Sequence, residues 1–247
     1  MRRVAFLGAT RGIGRALARE LAMRGDELYL WGRDLEDLAR TASDLAVRSG
    51  RAEPFPIAHL DLSRPAGFQP AVAAALETLG GLDLAVITAA DFAPQAELEQ
   101  DPERALELLQ VDFSHTVTLC EHLRGPLMAE GGGALCVFSS VAGDRGRKPV
   151  VLYGAAKAGL SRYLEGLDHR FHDQGLAVVC VKPGFVHTDM TRGLAPPPFA
   201  GTPEGVARDV LRALDSRRPV VYTPWIWRWI LLVIRLLPRF VMRRVGF

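Results

Sequence analysis

The chain has 247 residues, 49% hydrophobic and 23% charged, with a formal charge of +2: a globular balance, and length enough for one α/β domain. That balance speaks against a nucleic-acid partner, and no apolar run reaches the roughly 20 residues that a membrane-spanning helix needs. Cys120, Cys136 and Cys180 lie in apolar runs without CxxC spacing, and the six histidines lack ligand spacing. Buried thiols in a reducing compartment are expected, with no disulfide frame and no metal site.

In chain order, RVAFLG, ELYLWG, PFPIAHLD, LDLAVITA, ALCVFSS, LAVVCVKPG and PVVYTP read as strands. The first begins almost at the N-terminus, with no signal peptide ahead of it, so a cytoplasmic protein is expected. Between the strands, IGRALARELAMRG and PERALELLQVDFSHTVTLCEHLRGPLM carry apolar residues at helical spacing. Such alternation predicts βαβ units and a parallel sheet covered on both faces. LAPPPFAGTP (194–203) reads as an exposed, mobile loop.

The first strand runs into GATRGIG, with Gly8, Gly12 and Gly14 ahead of a helix. Glycines there let backbone N–H groups approach a pyrophosphate, whose charge the helix dipole favours. The second strand ends Trp31-Gly32-Arg33-Asp34. An acid at this point suits the ribose hydroxyl of NAD, whereas an arginine suits the 2′-phosphate of NADP. Arg33, with Arg11 in the glycine loop, favours NADPH over NADH. Asp34 reads as a helix cap. Asp61, ending the third strand, is placed either for the adenine amino group or as another cap.

Tyr153 and Lys157 are four residues apart on a predicted helix and share a face. A phenol is a poor acid or base at neutral pH, and a neighbouring ammonium pulls its pKa down toward the working range. Ser140, thirteen residues upstream at a strand end, points a hydroxyl at the same space. Together they offer what carbonyl reduction needs: a hydrogen bond to polarise the oxygen and a proton to give it.

At Gly8, Gly12, Ile13, Gly14, Asp61, Ser140, Tyr153, Lys157, Pro183, Gly184 and Thr188, the sequence resembles the short-chain dehydrogenase/reductase family over residues 1 to about 224. The resemblance implies a three-layer Rossmann-type fold with strand order 3-2-1-4-5-6-7. It also implies Tyr153 as general acid/base, Ser140 orienting the carbonyl, and Lys157 on the nicotinamide ribose. Thr10, Leu62, Ala89 and Val186 would join the glycine loop, Pro183, Gly184 and Thr188 around the cofactor. Long helices after strands four and five would form a homo-oligomer face. Two positions depart from the family: Asn-Asn-Ala-Gly after strand four is Ile87-Thr88-Ala89-Ala90, and the helix asparagine of the proton relay is Asp112. A carboxylate there is expected to bind Lys157 or to raise the Tyr153 pKa.

Arg145, Arg147 and Lys148 precede Tyr153, and Met190 follows the PGFVHT stretch; these are the substrate-side candidates. From Trp225 onward the chain is rich in tryptophan, aliphatics and arginine and has no acid. On a continuous helix Arg228, Arg235, Arg239 and Arg243 would share a stripe of about 80°. Such a tail (225–247) either packs on its own domain or a partner subunit, or lies in a membrane interface at the inner face. The run before the tyrosine, Tyr222-Thr223-Pro224 and Ile234-Arg235-Leu236-Leu237-Pro238-Arg239 together resemble the decaprenylphosphoryl-2-keto-ribose reductases. That resemblance implies a polyprenyl-phosphate-linked keto-sugar as substrate and an FAD-dependent oxidase as functional partner. The alternatives are reduction of a lipid ketone (3-ketosphinganine-like or long-chain 3-oxoacyl) and cofactor binding without turnover.

Overall fold

The computed structural model describes residues 1–129, 131–193 and 196–245. Seven parallel strands run β1 (Arg3–Leu7), β2 (Glu27–Gly32), β3 (Ile57–His59), β4 (Leu84–Ile87), β5 (Ala134–Phe138), β6 (Ala177–Pro183) and β7 (Val220–Thr223), in spatial order 3-2-1-4-5-6-7. This is a Rossmann-type α/β fold, as the resemblance implied. Alternation along β1 shows why the sheet needs cover on both sides. Val4 and Phe6 join the core under α1 (Gly12–Met23), α2 (Leu35–Ser49) and, near the end of the chain, the helix Pro203–Asp215. Ala5 and Leu7 join the opposite core, under α3 (Phe68–Leu79) and the later helices Thr116–Met128 and Val151–Phe171.

Strand order reverses between β1 and β4, and a crevice opens at their C-terminal ends. Local chemistry sets the helix starts around it. Asp34 caps α2, accepting from the Glu36 and Asp37 N–H groups at 3.0 Å each. Arg11, at the cap position of α1, makes no side-chain cap bond, and the first turn of α1 holds no acid. The leading N–H groups of α1 therefore stay free for an anion.

The long helical run after β4 is broken in character. A short turn α4 (Gln95–Leu98) precedes α5 (Pro102–Leu109), a π-helical segment Gln110–His115, and α6 (Thr116–Met128). Thr116 Oγ1 donates to the Val111 carbonyl, five residues back, at 2.7 Å. Helical spacing reads this run as helix throughout and does not mark the π turn, a rare local insertion. Its effect is to turn Asp112 fully inward.

A 21-residue helix, α7 (Val151–Phe171), carries Tyr153 and Lys157. After β6 come α8 (Pro203–Asp215), β7, α9 (Ile226–Leu236) and α10 (Arg239–Met242). The expected loop 194–203 begins at Leu194 and Ala195, which lie outside the described residues; beyond them Gly201 bridges Val186. The tail is two helices rather than one. Leu237, ahead of Pro238, is extended, since a proline disfavours helical backbone in the residue before it. The four arginines therefore share no single helical stripe: Arg228 and Arg235 lie on α9, Arg239 opens α10, and Arg243 follows it. No described helix is long and apolar enough to cross a membrane. All three cysteines are free and buried, and no metal cluster occurs among the described residues.

Candidate active site

Gly8 has φ +99°, a conformation side chains disfavour, and a Cβ on Gly14 would sit 2.0 Å from the Gly8 carbonyl oxygen. These two glycines let the turn fold against α1. Thr88, in the stretch that departs from the family, fills the space beside them. Its hydroxyl donates toward the Gly8 carbonyl at 3.0 Å, so the loop after β4 is tied to the glycine turn. Gly12 has another neighbour: a Cβ there would meet Thr188 Cγ2 at 3.2 Å. Gly12, Thr188, Phe185 and Arg192 border one cleft of about 470 Å³. An anion-receptive helix start facing the Thr188 loop across this cleft fits a dinucleotide. Ile13 packs on the core beside it, and Thr10 lies in the turn between β1 and α1.

At the far end of β2, Arg33 is exposed and Arg11 is 70% exposed, at 3.5 Å from Asp37. Asp34 is engaged as a cap. Asp61 Oδ1 accepts from the Ser63 N–H at 2.9 Å in a local turn and caps no helix, since the helices that follow start at Arg64 and Gly67 without side-chain caps; Oδ2 has no partner among the described residues. Leu62 and Val186 are buried, and Ala89 packs on the core beneath the glycine turn.

The candidate trio Ser140, Tyr153 and Lys157 converges from two elements. Ser140 ends the stretch after β5; its Oγ accepts from the Ala142 N–H at 3.1 Å, which fixes the hydroxyl's position. One turn of α7 separates Tyr153 from Lys157, whose Nζ stands 5.5 Å from the Tyr153 ring centroid. Lys157 also reaches the Phe138 carbonyl at 3.5 Å and Asp112 Oδ2 at 3.4 Å. Ser139 anchors this turn from behind, donating to the Lys157 carbonyl at 3.0 Å and accepting from the Ser161 hydroxyl at 2.8 Å.

The phenol's pKa is raised, against the expectation that Lys157 would bring it down. Burial is the main cause; Lys157 pulls the value down, Asp112 pushes it up, and hydrogen bonding from Ser140 and the charge of Arg147 pull it down. Burial also raises the Asp112 carboxyl, with the Lys157 ammonium opposing. Both expectations for a carboxylate at this position are met: Asp112 binds Lys157 and acts upward on Tyr153.

Four features escaped sequence reasoning. Asp91 donates its N–H to Asp112 Oδ1 at 2.7 Å while its carboxylate grips Arg104. Phe92 sets its ring edge-on to Tyr153, centroids 5.4 Å apart. Asp144 accepts from Lys182 at 2.6 Å and from Tyr222 at 2.7 Å, locking the segment between Ser140 and Tyr153 to β6 and β7. Trp227 of α9 covers Gly184: a Cβ on that glycine would sit 2.0 Å from the indole Nε1. The missing side chain of Gly184 thus admits the tail. No spacing rule links these partners, because each contact joins segments remote in sequence.

Arg145 and Arg147, paired as substrate-side candidates, diverge. Arg145 Nη2 donates to the Leu237 carbonyl at the end of α9, at 2.7 Å, so it clasps the tail. Arg147 remains beside Tyr153. Met190 is 45% exposed on the turn after Thr188.

The family model for short chain dehydrogenase matches residues 2–197. The chain belongs to the short-chain dehydrogenase family. This short-chain dehydrogenase is 37% identical over 242 residues to an uncharacterized oxidoreductase of Mycobacterium tuberculosis, covering 98% of this chain and 96% of that one. It is 30% identical to carbonyl reductase family member 4 of Xenopus tropicalis (86% and 90% covered). To the 3-oxoacyl-[acyl-carrier-protein] reductase of Chlamydia muridarum it is 27% identical (83% and 86% covered). A short-chain dehydrogenase/reductase structure from Mycobacterium ulcerans superposes with a TM-score of 0.82 at 20% identity, covering 90% of this chain and 88% of that one; it speaks for the fold. The chain is thus an oxidoreductase, in a family that uses NAD(P)H.

Proposed function

We propose that this protein uses NADPH to reduce a ketone to a secondary alcohol, and that the ketone belongs to a sugar carried on a polyprenyl phosphate. The observation that carries the reaction type is the convergence of Ser140, Tyr153 and Lys157. When bound, the nicotinamide supplies the hydride to the carbonyl carbon. Ser140 donates a hydrogen bond to the carbonyl oxygen, and Tyr153 delivers the proton to that oxygen. Lys157 steadies the phenolate that remains, within limits set by Asp112. Thr188, Gly12 and the start of α1 border the cleft for the dinucleotide. The preference for NADPH rests on Arg11 and Arg33 near the end of β2, with Asp34 engaged as a cap.

The tail supports a lipid-linked substrate. One side of α9 packs on the domain through Trp227 and the buried Leu231. The other leaves Trp225, Trp229, Leu232, Val233 and Leu236 exposed, with Arg228 and Arg235 along one edge. Tryptophans with flanking arginines suit the headgroup region of a membrane, and α9 sits at the catalytic end through Gly184 and Arg145. The tail serves to bring Tyr153 to a substrate that stays in the bilayer.

Following NADPH oxidation with a polyprenyl-phosphoryl 2-keto-pentose tests this directly. The wild type turns over, and Tyr153→Phe loses about 10²- to 10⁴-fold in kcat. A second reading, a long-chain 3-oxoacyl substrate, draws on the 3-oxoacyl reductase among the similar proteins. Turnover of 3-oxoacyl thioesters without turnover of the keto-sugar lipid would replace the first reading with the second. Vesicle flotation with and without residues 225–247 checks the membrane contact; if both forms stay in solution, that part fails.

A further inference from the structure

Among the cations at the catalytic end that are at least partly buried, Arg147 stands apart; Lys148 beside it is exposed. Lys157 faces Asp112 at 3.4 Å, Lys182 is bound by Asp144 at 2.6 Å, Arg145 by the Leu237 carbonyl at 2.7 Å, and Arg104 by Asp91. Arg147 has no hydrogen-bond or ion-pair partner among the described residues, and its Nε is shut away from water. It stands at the head of the 3-10 turn Lys148–Val150, six residues before Tyr153, with its charge felt at that phenol. Burial pushes the guanidinium's own pKa down, as expected for a cation that has lost part of its water without gaining a counter-charge.

A partly buried guanidinium whose Nε reaches neither water nor a partner is better satisfied when a ligand supplies the anion. The nearby acids are already engaged: Asp144 by Lys182 and Tyr222, Asp112 by Lys157, Asp91 by Arg104. The cofactor's phosphates have their own receptor, the free first turn of α1, and Arg147 does not border the cleft there. Its fork of donors suits a phosphate or phosphodiester, which accepts two parallel hydrogen bonds.

We propose that Arg147 is an anion-binding residue of the substrate pocket, taking a phosphate-type oxyanion carried by the ketone while its carbonyl lies against Tyr153. Arg145, by contrast, positions the tail and touches no anion. This rests on the reading of Tyr153 as proton donor to a bound ketone, and it narrows the substrates to ketones with an anionic group near the carbonyl.

The test compares wild type, Arg147→Gln and Arg147→Lys, each loaded with NADPH, on a methyl phosphodiester of a 2-keto-pentoside and on its uncharged methyl glycoside. Expected is a drop of about tenfold or more in the ratio of kcat/KM for charged over uncharged ketone in the Gln variant, carried by KM, with partial recovery in the Lys variant. A ratio within about twofold of wild type overturns the assignment, as does an equal loss on both ketones, which would place Arg147 on Tyr153 alone. Calorimetric titration with the alcohol product of the phosphodiester, in protein loaded with NADP, reads binding without turnover. Binding lost in the Gln variant supports the proposal even if neither ketone is reduced, an outcome that removes the proposed reaction instead. Inorganic phosphate is titrated in parallel: competition with the product supports the Arg147 site, and product binding equal in wild type and Gln variant overturns it. Melting curves check that the Gln variant folds; should it not, the Lys variant decides by the same ratio.

Discussion

Asp112 Oδ2 stands 3.4 Å from Lys157 Nζ, and neither side chain exposes more than 2% of its surface. A carboxylate in this place divides the ammonium's influence: the charge that would lower the Tyr153 pKa is partly neutralised before it acts. Asp112→Asn removes both the counter-charge on Lys157 and the upward push on the phenol, so the Tyr153 pKa falls. In alcohol oxidation Tyr153 works as phenolate, and the rising limb of kcat/KM against pH moves to lower pH. In ketone reduction it works protonated, and the falling limb moves the same way. Profiles in both directions check this, and a limb that moves upward or stays put contradicts it.

Gly184 holds the tail through Trp227. Gly184→Ala puts a methyl carbon 2.0 Å from the indole Nε1, so α9 leaves its seat. Limited trypsin digestion then cuts sooner at Arg228 and Arg235, and the melting temperature falls. Trp227→Ala added to Gly184→Ala removes the clash and recovers part of the melting temperature. If the double variant melts no higher than Gly184→Ala, the contact is not what the alanine disturbs.

The proposed NADPH preference rests on Arg11 of the glycine loop and Arg33 past β2. Replacing Arg11 and Arg33 by alanine raises KM for NADPH about tenfold or more, the worth of one or two charge-assisted contacts to a phosphate. KM for NADH changes far less. Steady-state kinetics with both cofactors decide it, and parallel changes would place these arginines outside the 2′-phosphate site.

Acid stability should follow Asp83, which ties the starts of β1 and β4. Its carboxylate accepts from the Arg3 N–H at 2.7 Å and from Nη2 at 2.7 Å, and these hydrogen bonds hold its pKa below the usual range. A lowered carboxylate stabilises the fold above its unfolded-state pKa and loses that contribution as pH falls through the folded value. Asp83→Asn costs about 1 kcal/mol at neutral pH, kept small by partial exposure, and flattens the loss of stability below pH ~4. Urea titrations across pH measure both.

The seven strands were legible because buried parallel strands are continuous apolar runs set off by helical spacing. The glycine turn, Ser140, and the Tyr153–Lys157 pair were legible too, each being a short-range pattern. Strand ends were trimmed: PFPIAHLD contributes only Ile57–His59 to the sheet, since its prolines cannot donate to a ladder. The π turn was hidden because no residue type or spacing marks where a single extra residue enters a helix.

By itself, the sequence determined the oxidoreductase family and picked out Ser140, Tyr153 and Lys157 as candidates to meet a carbonyl, because those patterns depend on local spacing within single elements. Only the tertiary structure decided which charges answer one another. It put Asp112 on Lys157, gave Arg145 to the tail while leaving Arg147 unpaired, and seated Trp227 where Gly184 has no side chain. Each of these relations joins distant segments, and pairing energy depends on distance and burial, which linear order does not encode.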